Sequence, residues 1–373
     1  MPPIRVGLVG LSGAPPDQYE GTSWTPSAHL PYLLASPHYE IVALLNTSVA
    51  SGKAAIERYS LPLETKAYGK PEDPTVDLVV VSIRVDRHFA PVRPSIIAGK
   101  SVFVEWPLER NLEVAKEMAA LAAKHGSKTM VGLQGSFSPV IRKLKETVAE
   151  EKIGKILSST VFASMVNAGP KERKNVRYFL DREVGGSILS IHLGHAIEYI
   201  TSVLGEITTW NSLLSNRHEF KDIIDPSKDN KIIVKDAPNT VPDQIMLHGL
   251  VSPSNAPISI HFRGGKQFPG TPALEWRIQG EKGELRLTSS SFGLNVGTPD
   301  TKVELFDEES GIVEELVPNS SELDDLPIPA QNIARLYEAF RKGEWYPDFE
   351  WAVKRHEMLA EIWRRHDEAT IYT

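Results

Sequence analysis

Apolar residues in the first third of the chain fall into short, nearly unbroken runs, separated by stretches with helical spacing. Ile4-Arg-Val-Gly-Leu-Val-Gly10 is one such run, and it stops in small residues as a buried parallel strand does. A helix-like stretch from Ser27 follows, with Leu30, Leu33 and Leu34 apolar, then a second strand at Glu40-Ile-Val-Ala-Leu-Leu45. Residues 51–59 read as a helix, 77–82 as a wholly apolar strand, 88–98 as a helix despite Pro91 and Pro94, and 101–104 as a strand. Asn111 is a good cap for a helix carrying Leu112, Ala115, Met118 and Ala122, and Gly126 is its stop signal. Residues 129–131 supply a last strand. Repeated βαβ units of this kind predict a doubly wound parallel sheet covered on both faces.

The texture then changes. A helix opens at Ser138-Pro139 and runs through Val140, Ile141, Leu144 and Val148 to Gly154. Residues 156–162, 244–250, 258–262, 276–279, 284–287 and 303–306 alternate or are rich in β-formers, with no helices between most of them. That pattern predicts a mostly antiparallel sheet with one face open to solvent or a partner, and hence a homodimer. Residues 217–239 are charged and without period, and read as a surface excursion. From Gln331 two amphipathic helices are expected to pack back on the body, marked by Ile333, Leu336, Tyr337 and Phe340, then by Val353, His356, Leu359, Ile362 and Trp363. The expected division is a doubly wound (Rossmann) domain over 1–131, an α+β domain for substrate and oligomerisation over 132–330, and the C-terminal helices over 331–373.

Composition narrows the function. The 373 residues, 41% hydrophobic and 24% charged, suit two globular domains with sizeable cores. A net charge of -7 argues against direct nucleic-acid binding, which needs a basic face. The absence of cysteine removes disulfides, thiolate nucleophiles and Cys-ligated zinc. No run of about 18 apolar residues suggests a membrane span, and the first strand starts too early for a leader, so a cytoplasmic location is expected.

The turn after the first strand reads Gly10-Leu11-Ser12-Gly13. A dinucleotide fingerprint places glycine where Ser12 stands, so that backbone can approach a pyrophosphate; a small hydroxyl residue also fits there. A plain tight turn is the alternative. An extended segment, 14–25, then delays the helix. At the end of the second strand stand Asn46-Thr47-Ser48, with no carboxylate to repel a 2′-phosphate and Lys53 just beyond. This permits either NAD or NADP and leans toward NADP; an uncommitted polar loop would look the same.

Further landmarks occur in order: Ser82 and His88 around the fourth strand, the corner Glu105-Trp106-Pro107, Gly132-Leu-Gln134-Gly-Ser136-Phe-Ser-Pro139, Gly185-Gly186 through His195 and Glu198, and Gly280-Glu-Lys-Gly283. Together with the glycine turn they resemble the Gfo/Idh/MocA oxidoreductase family over nearly the whole chain. The resemblance implies a nicotinamide cofactor held by Gly10, Leu11, Ser12, Gly13, Trp24, Asn46, Ser48, Ser82, Arg84, His88, Glu105, Trp106 and Gln134. It also implies hydride transfer with a small, sugar-like hydroxyl or carbonyl substrate.

Two departures matter. The family corner is Glu-Lys-Pro, whose lysine assists proton movement between nicotinamide and substrate, whereas here an indole, Trp106, occupies that place. The family aspartate four residues before the active-site histidine is Ile191 here. The resemblance then leaves proton handling to His195, with His192 or Tyr178 assisting. His192 lies one turn earlier on nearly the same helix face. Packed structural histidines are the alternative, and a metal pair lacks a carboxylate partner. Trp106, Trp24, His29-Leu-Pro31, Leu133-Gln134-Gly135 and Gly194-His195-Ala196-Ile197 resemble the branch that contains the galactose-regulon repressor. Two functions follow from the resemblance: an oxidoreductase without the usual lysine, which is the favoured expectation, or a dinucleotide-binding regulator with a protein partner, which could act in the nucleus.

Overall fold

The computed structural model describes residues 2–15, 21–22, 24–70 and 75–371. Six parallel strands form the first sheet: β1 (Ile4–Val9), β2 (Tyr39–Leu45), β3 (Lys66–Tyr68), β4 (Leu78–Val81), β5 (Ser101–Val104) and β6 (Thr129–Val131), in the order β3-β2-β1-β4-β5-β6. The strands are short and rich in Val and Leu because both faces are covered; β4 is buried along its whole length. Strand order reverses between β1 and β4, so the crevice beyond their carboxyl ends is where such a sheet takes a ligand. Helix α1 (Leu30–Ala35) and α2 (Val49–Arg58) follow β1 and β2, while α3 (Phe89–Ile97) and α4 (Leu112–His125) follow β4 and β5. The Asn111 side chain accepts from Val114 N at 3.0 Å to start α4, and Gly126 at φ 66° ends it.

After α5 (Pro139–Ala149) the second sheet begins. Its strands are β7 (Ile156–Met165), β9 (Ile207–Ser215), β12 (Gln244–Val251), β13 (Ala256–Gly264), β14 (Leu274–Gly280), β15 (Gly283–Ser289), β16 (Lys302–Asp307) and β17 (Val313–Glu315). They lie in the order β17-β16-β15-β14-β7-β13-β12-β9, antiparallel except for β7 against β13. One face packs on α6 (Gly194–Leu204) through Tyr199, Trp276, Ile197 and their neighbours. The other face leaves Phe162, Leu213, Met246, Leu250 and Phe306 exposed.

The excursion expected over 217–239 is instead a strand pair. Strands β10 (Phe220–Asp225) and β11 (Lys231–Pro238) pair antiparallel, and β8 (Lys171–Arg173) joins β10 in parallel. Its core is small, with Ile223 and Ala237 packed on Leu180. So few buried positions, interleaved with exposed charges and register irregularities, leave little alternation to read.

Helix α7 (Ile328–Lys342) returns to the first sheet, where Ile333, Leu336 and Tyr337 share a core with Leu8, Tyr39 and Phe103. Helix α8 (Phe349–Ile371) lies on α4 and α6. Glu198 of α6, fully buried, accepts from Trp351 Nε1 at 2.7 Å and Arg355 Nε at 3.1 Å, pinning the two helices together. Among the described residues no helix is long and apolar enough to cross a membrane.

Candidate functional site: a dinucleotide crevice beside a histidine pair

The glycine turn is built for close approach. Gly10 has φ 99°, and a Cβ there would lie 2.6 Å from the Ser82 carbonyl oxygen. A Cβ on Gly13 would lie 2.6 Å from the main chain of Ala54 and Ala55, so only glycine lets the turn rest on α2. Leu11 is fully buried and its carbonyl accepts from Asn46 Nδ2 at 2.7 Å. Because a carbonyl only accepts, that contact fixes the amide's orientation, and Asn46 Oδ1 has no partner among the described residues. Ser12 Oγ accepts from Ala14 N at 3.2 Å, and Ser48 Oγ caps α2 by accepting from Ser51 N at 3.1 Å. The carbonyls of Gly10 and Ser82 both accept from the Thr25 hydroxyl, at 3.2 and 3.3 Å. Trp24, at the head of that turn, has a buried indole N–H with no partner among the described residues. The extended segment expected over 14–25 falls partly on 16–20 and 23, outside the described residues.

Two other expected binding residues sit at the exit of β4. His88 is almost fully buried, with its ring nitrogens 3.1 Å from the carbonyls of Leu108 and Ile83, so it ties the strand exit to the corner. Arg84 grips Asp86 through two hydrogen bonds of 2.6 and 2.8 Å, and its guanidinium lies 5.7 Å from the Tyr178 ring centre.

At the corner itself, the Trp106–Pro107 peptide is cis. The Trp106 indole is only 5% exposed, donates to the Ser190 carbonyl at 2.8 Å and lies 4.8 Å from the His356 ring. A Cβ on Gly194 would approach its Nε1 to 2.5 Å. The indole therefore holds the corner against the start of α6, and it brings no titrating group. Gln134, just past β6, is buried, and neither amide atom has a partner among the described residues. Such a group carries a desolvation cost of about 1–3 kcal/mol until something meets it.

The approach to α6 is a wide helical turn, Ile188–Leu193, opened by a reciprocal cap between Ser187 and Ser190. It carries His192, and His195 follows in the first turn of α6. His192 Nε2 lies 3.1 Å from Asn167 Nδ2, and its ring meets Phe292 edge-on at 4.8 Å. His195 is 6% exposed, and its Nδ1 has no partner among the described residues. Burial lowers His192 to about 4; burial, with His192 nearby, lowers His195 to about 3. Ile191 and Tyr178 both border Gly186, so Tyr178 lies beside the same turn.

The structure thus groups His192, His195, Trp106 and Tyr178 around the start of α6, and Gly10, Leu11, Ser12, Gly13, Asn46 and Ser82 around the first turn. His88 and Ser48 are committed to protein partners. Asn167 and Phe292, which flank His192, were not legible, since both lie in loops after β7 and β15 without a motif. Among the described residues no group of three metal-ligating His, Asp or Glu side chains gathers. The glycine cradle and the orphaned polar atoms of Asn46, Trp24 and Gln134 fit a dinucleotide, which offers both donors and acceptors.

Known proteins share this fold and parts of this sequence. Residues 4–133 match the oxidoreductase family with an NAD-binding Rossmann fold (Gfo/Idh/MocA), and residues 139–289 match the Gal80p C-terminal domain. The dehydrogenase aclE of Aspergillus oryzae is 32% identical over 321 residues, covering 84% of each chain. The galactose/lactose metabolism regulatory protein GAL80 of Saccharomyces cerevisiae is 31% identical over 301 residues, which cover 76% of this chain and 66% of that one. The chain thus spans just under two thirds of that regulator's length. Among solved structures, a super-repressor mutant of Gal80p from Saccharomyces cerevisiae superimposes with a TM-score of 0.86 at 24% identity, covering 98% of this chain and 97% of that one. Levoglucosan dehydrogenase in complex with NADH and levoglucosan gives 0.76 at 16% identity, covering 98% and 97%. At these identities the two superpositions speak to fold alone. The chain belongs to the Gfo/Idh/MocA oxidoreductase family, in the branch whose second domain is Gal80-like.

Proposed function

We propose that this protein is an NAD(P)-dependent oxidoreductase acting on a small, sugar-like hydroxyl or carbonyl compound without the family's lysine. The observation that carries this reading is His195: a buried, neutral imidazole with an unpartnered Nδ1, next to the glycine that abuts Trp106. The cofactor supplies the hydride acceptor or donor. Gly10, Leu11, Ser12, Gly13, Asn46, Trp24, Ser82 and Gln134 hold it, and Glu105, His88, Arg84 and Ser48 shape the surrounding frame. With its own proton on Nε2, His195 accepts a hydrogen bond from the substrate hydroxyl at Nδ1 and takes the proton as the hydride leaves. His192, steadied by Asn167, and Tyr178 line the same turn and orient the substrate. A base held at about 3 is weak, and losing a well-matched acid–base group typically costs 10²- to 10⁴-fold, so turnover is expected to be slow. The open sheet face, with its exposed apolar side chains, supports a homodimer, and a cytoplasmic location goes with this role.

Incubating the purified protein with NAD+ or NADP+ and a panel of sugars and polyols, and following absorbance at the reduced nicotinamide band, tests the assignment. His195→Phe should abolish any turnover found. Unchanged turnover in that variant would remove His195 from the chemistry.

A second reading, a dinucleotide-binding regulator with a protein partner, is favoured by Trp106. Its indole fills the lysine's place and is locked onto Ser190, as suits a cofactor held without being turned over. Tight binding of NADH or NADPH with no turnover on the whole panel would decide for it.

A further inference from the structure

Behind the Glu105 corner runs a chain of buried polar groups that the proposed chemistry does not use. The Tyr337 hydroxyl lies 2.8 Å from His29 Nδ1, and His29 Nε2 lies 2.8 Å from Glu105 Oε1. Both His29 and Tyr337 are completely buried, and Glu105 is nearly so. Glu105 Oε1 meets Nε2 of His29, and the Tyr337 hydroxyl, which can donate or accept, meets Nδ1, so the ring is held at both nitrogens. The three residues come from three parts of the fold. His29 closes the turn Thr25–His29, Glu105 follows β5, and Tyr337 lies on α7.

The two ends of this relay bear on groups that wait for a partner. His29 belongs to the same turn as Thr25, which bonds the Gly10 and Ser82 carbonyls, and that turn is headed by Trp24 with its orphaned N–H. Glu105 packs so closely on Gly132 that a Cβ there would lie 2.5 Å from Oε2, and Gln134, with its orphaned amide, stands just beyond. Glu105 and His29 therefore join the turn headed by Trp24 to the segment that carries Gln134. Polar groups that meet a ligand must be held to within about 0.5 Å, which requires supporting hydrogen bonds of this kind.

We propose that Tyr337, through His29 and Glu105, is a positioning residue for the dinucleotide, so that α7 tunes cofactor affinity from outside both matched domains. The inference rests on the dinucleotide reading given above. Tyr337→Phe removes only the hydroxyl and keeps the ring contacts with Tyr32, Tyr39 and Phe103. The expected result is a rise of about tenfold in the Kd for NADH or NADPH, measured by nicotinamide fluorescence titration. Tyr39→Phe is the matched control, because its buried hydroxyl donates to the Tyr337 carbonyl at 2.8 Å in the same aromatic cluster yet lies off the relay. Its Kd should stay at the wild-type value. An unchanged Kd in Tyr337→Phe, or an equal shift in both variants, would overturn the proposal. If Tyr337→Phe does not fold, His29→Gln, which still offers a donor and an acceptor, should bind more tightly than His29→Leu; equal affinities would overturn it as well. Failure of the wild-type chain to bind either nucleotide would remove the dinucleotide reading, and the relay proposal with it.

Discussion

The indole N–H of Trp106 donates to the main-chain carbonyl of Ser190 at 2.8 Å, joining the corner after β5 to the turn that leads into α6. A family position that elsewhere carries a mobile ammonium is here a clamp between the two domains. Restoring the lysine is therefore not expected to restore the chemistry. Trp106→Lys removes the indole packing against His356 and Gly194 and leaves the Ser190 carbonyl without its donor. The expected cost is about 3 kcal/mol, typical of emptying a buried aromatic site, read as a lower urea midpoint. Turnover on the sugar panel should not rise. A stable, faster Trp106→Lys variant would show that the clamp is dispensable.

Gly194→Ala tests the same contact from the other side. The new Cβ would lie 2.5 Å from Trp106 Nε1, well inside contact distance, and helix backbone cannot easily yield. Overpacking of this kind costs about 1–3 kcal/mol. Trp106 fluorescence should shift as the indole is displaced, although six other tryptophans dilute the change.

Much of this was legible in the chain because the relevant signals are local. Gly10 and Gly13 reveal a turn pressed against its neighbours, and the unbroken apolar run at β4 reveals a strand covered on both sides. The shared departures Trp106 and Gly194-His195 identified the branch, since the indole needs the glycine for room. What stayed hidden depends on partners far apart in sequence. His29, Glu105 and Tyr337 meet only in three dimensions, and nothing near any one of them announces the other two. Asn167 and Phe292 reach His192 from loops, where no periodicity exists. The pair β10 and β11 escaped because Ile223 and Ala237 are nearly its whole core.

Two buried histidines, His195 and His356, and the half-buried His192 give the protein a defined acid sensitivity. Burial holds His192 at about 4, and His195 and His356 at about 3, against about 6.5 in an unfolded chain. Above pH 6.5 both states are neutral and these residues add no pH dependence. As pH falls from 6.5 toward 4, the unfolded chain takes up protons that the folded state excludes, so stability declines. Each fully buried histidine contributes up to about 1.4 kcal/mol per pH unit, with a smaller share from half-buried His192. Urea midpoints at pH 7.5, 6 and 5 should fall in that order, and His356→Phe should flatten the slope. The same shifts predict that any turnover shows no limb near pH 6.5; a clear inflection there would mean that a different group handles the proton.

Gln134→Leu should separate stability from binding. The buried amide has neither atom partnered, so replacing it with a side chain of similar volume removes a desolvation cost and should raise stability by about 1 kcal/mol. If the amide serves the dinucleotide, the same change should weaken NADH and NADPH binding about tenfold. A more stable variant with unaltered affinity would show that Gln134 faces no ligand.

Arg355 offers the opposite case, a buried charge that the fold requires. Its guanidinium donates to Glu198 at 3.1 Å and makes two bonds of 2.9 Å to Glu206, and both Arg355 and Glu198 are almost wholly buried. Burial raises the Glu198 carboxyl, against the opposing pull of Arg355 and of the Trp351 N–H. Removing the arginine strands that carboxylate inside the protein, which costs about 3–5 kcal/mol. Arg355→Met should therefore lower the urea midpoint sharply, and Arg355→Met with Glu198→Gln should recover much of the loss, because a neutral amide still accepts from Trp351. A double variant no better than the single one would mean that the damage lies with Glu206 and the end of α6. In that case the anchoring of α8 would depend on its partly exposed ion pairs and not on the buried one.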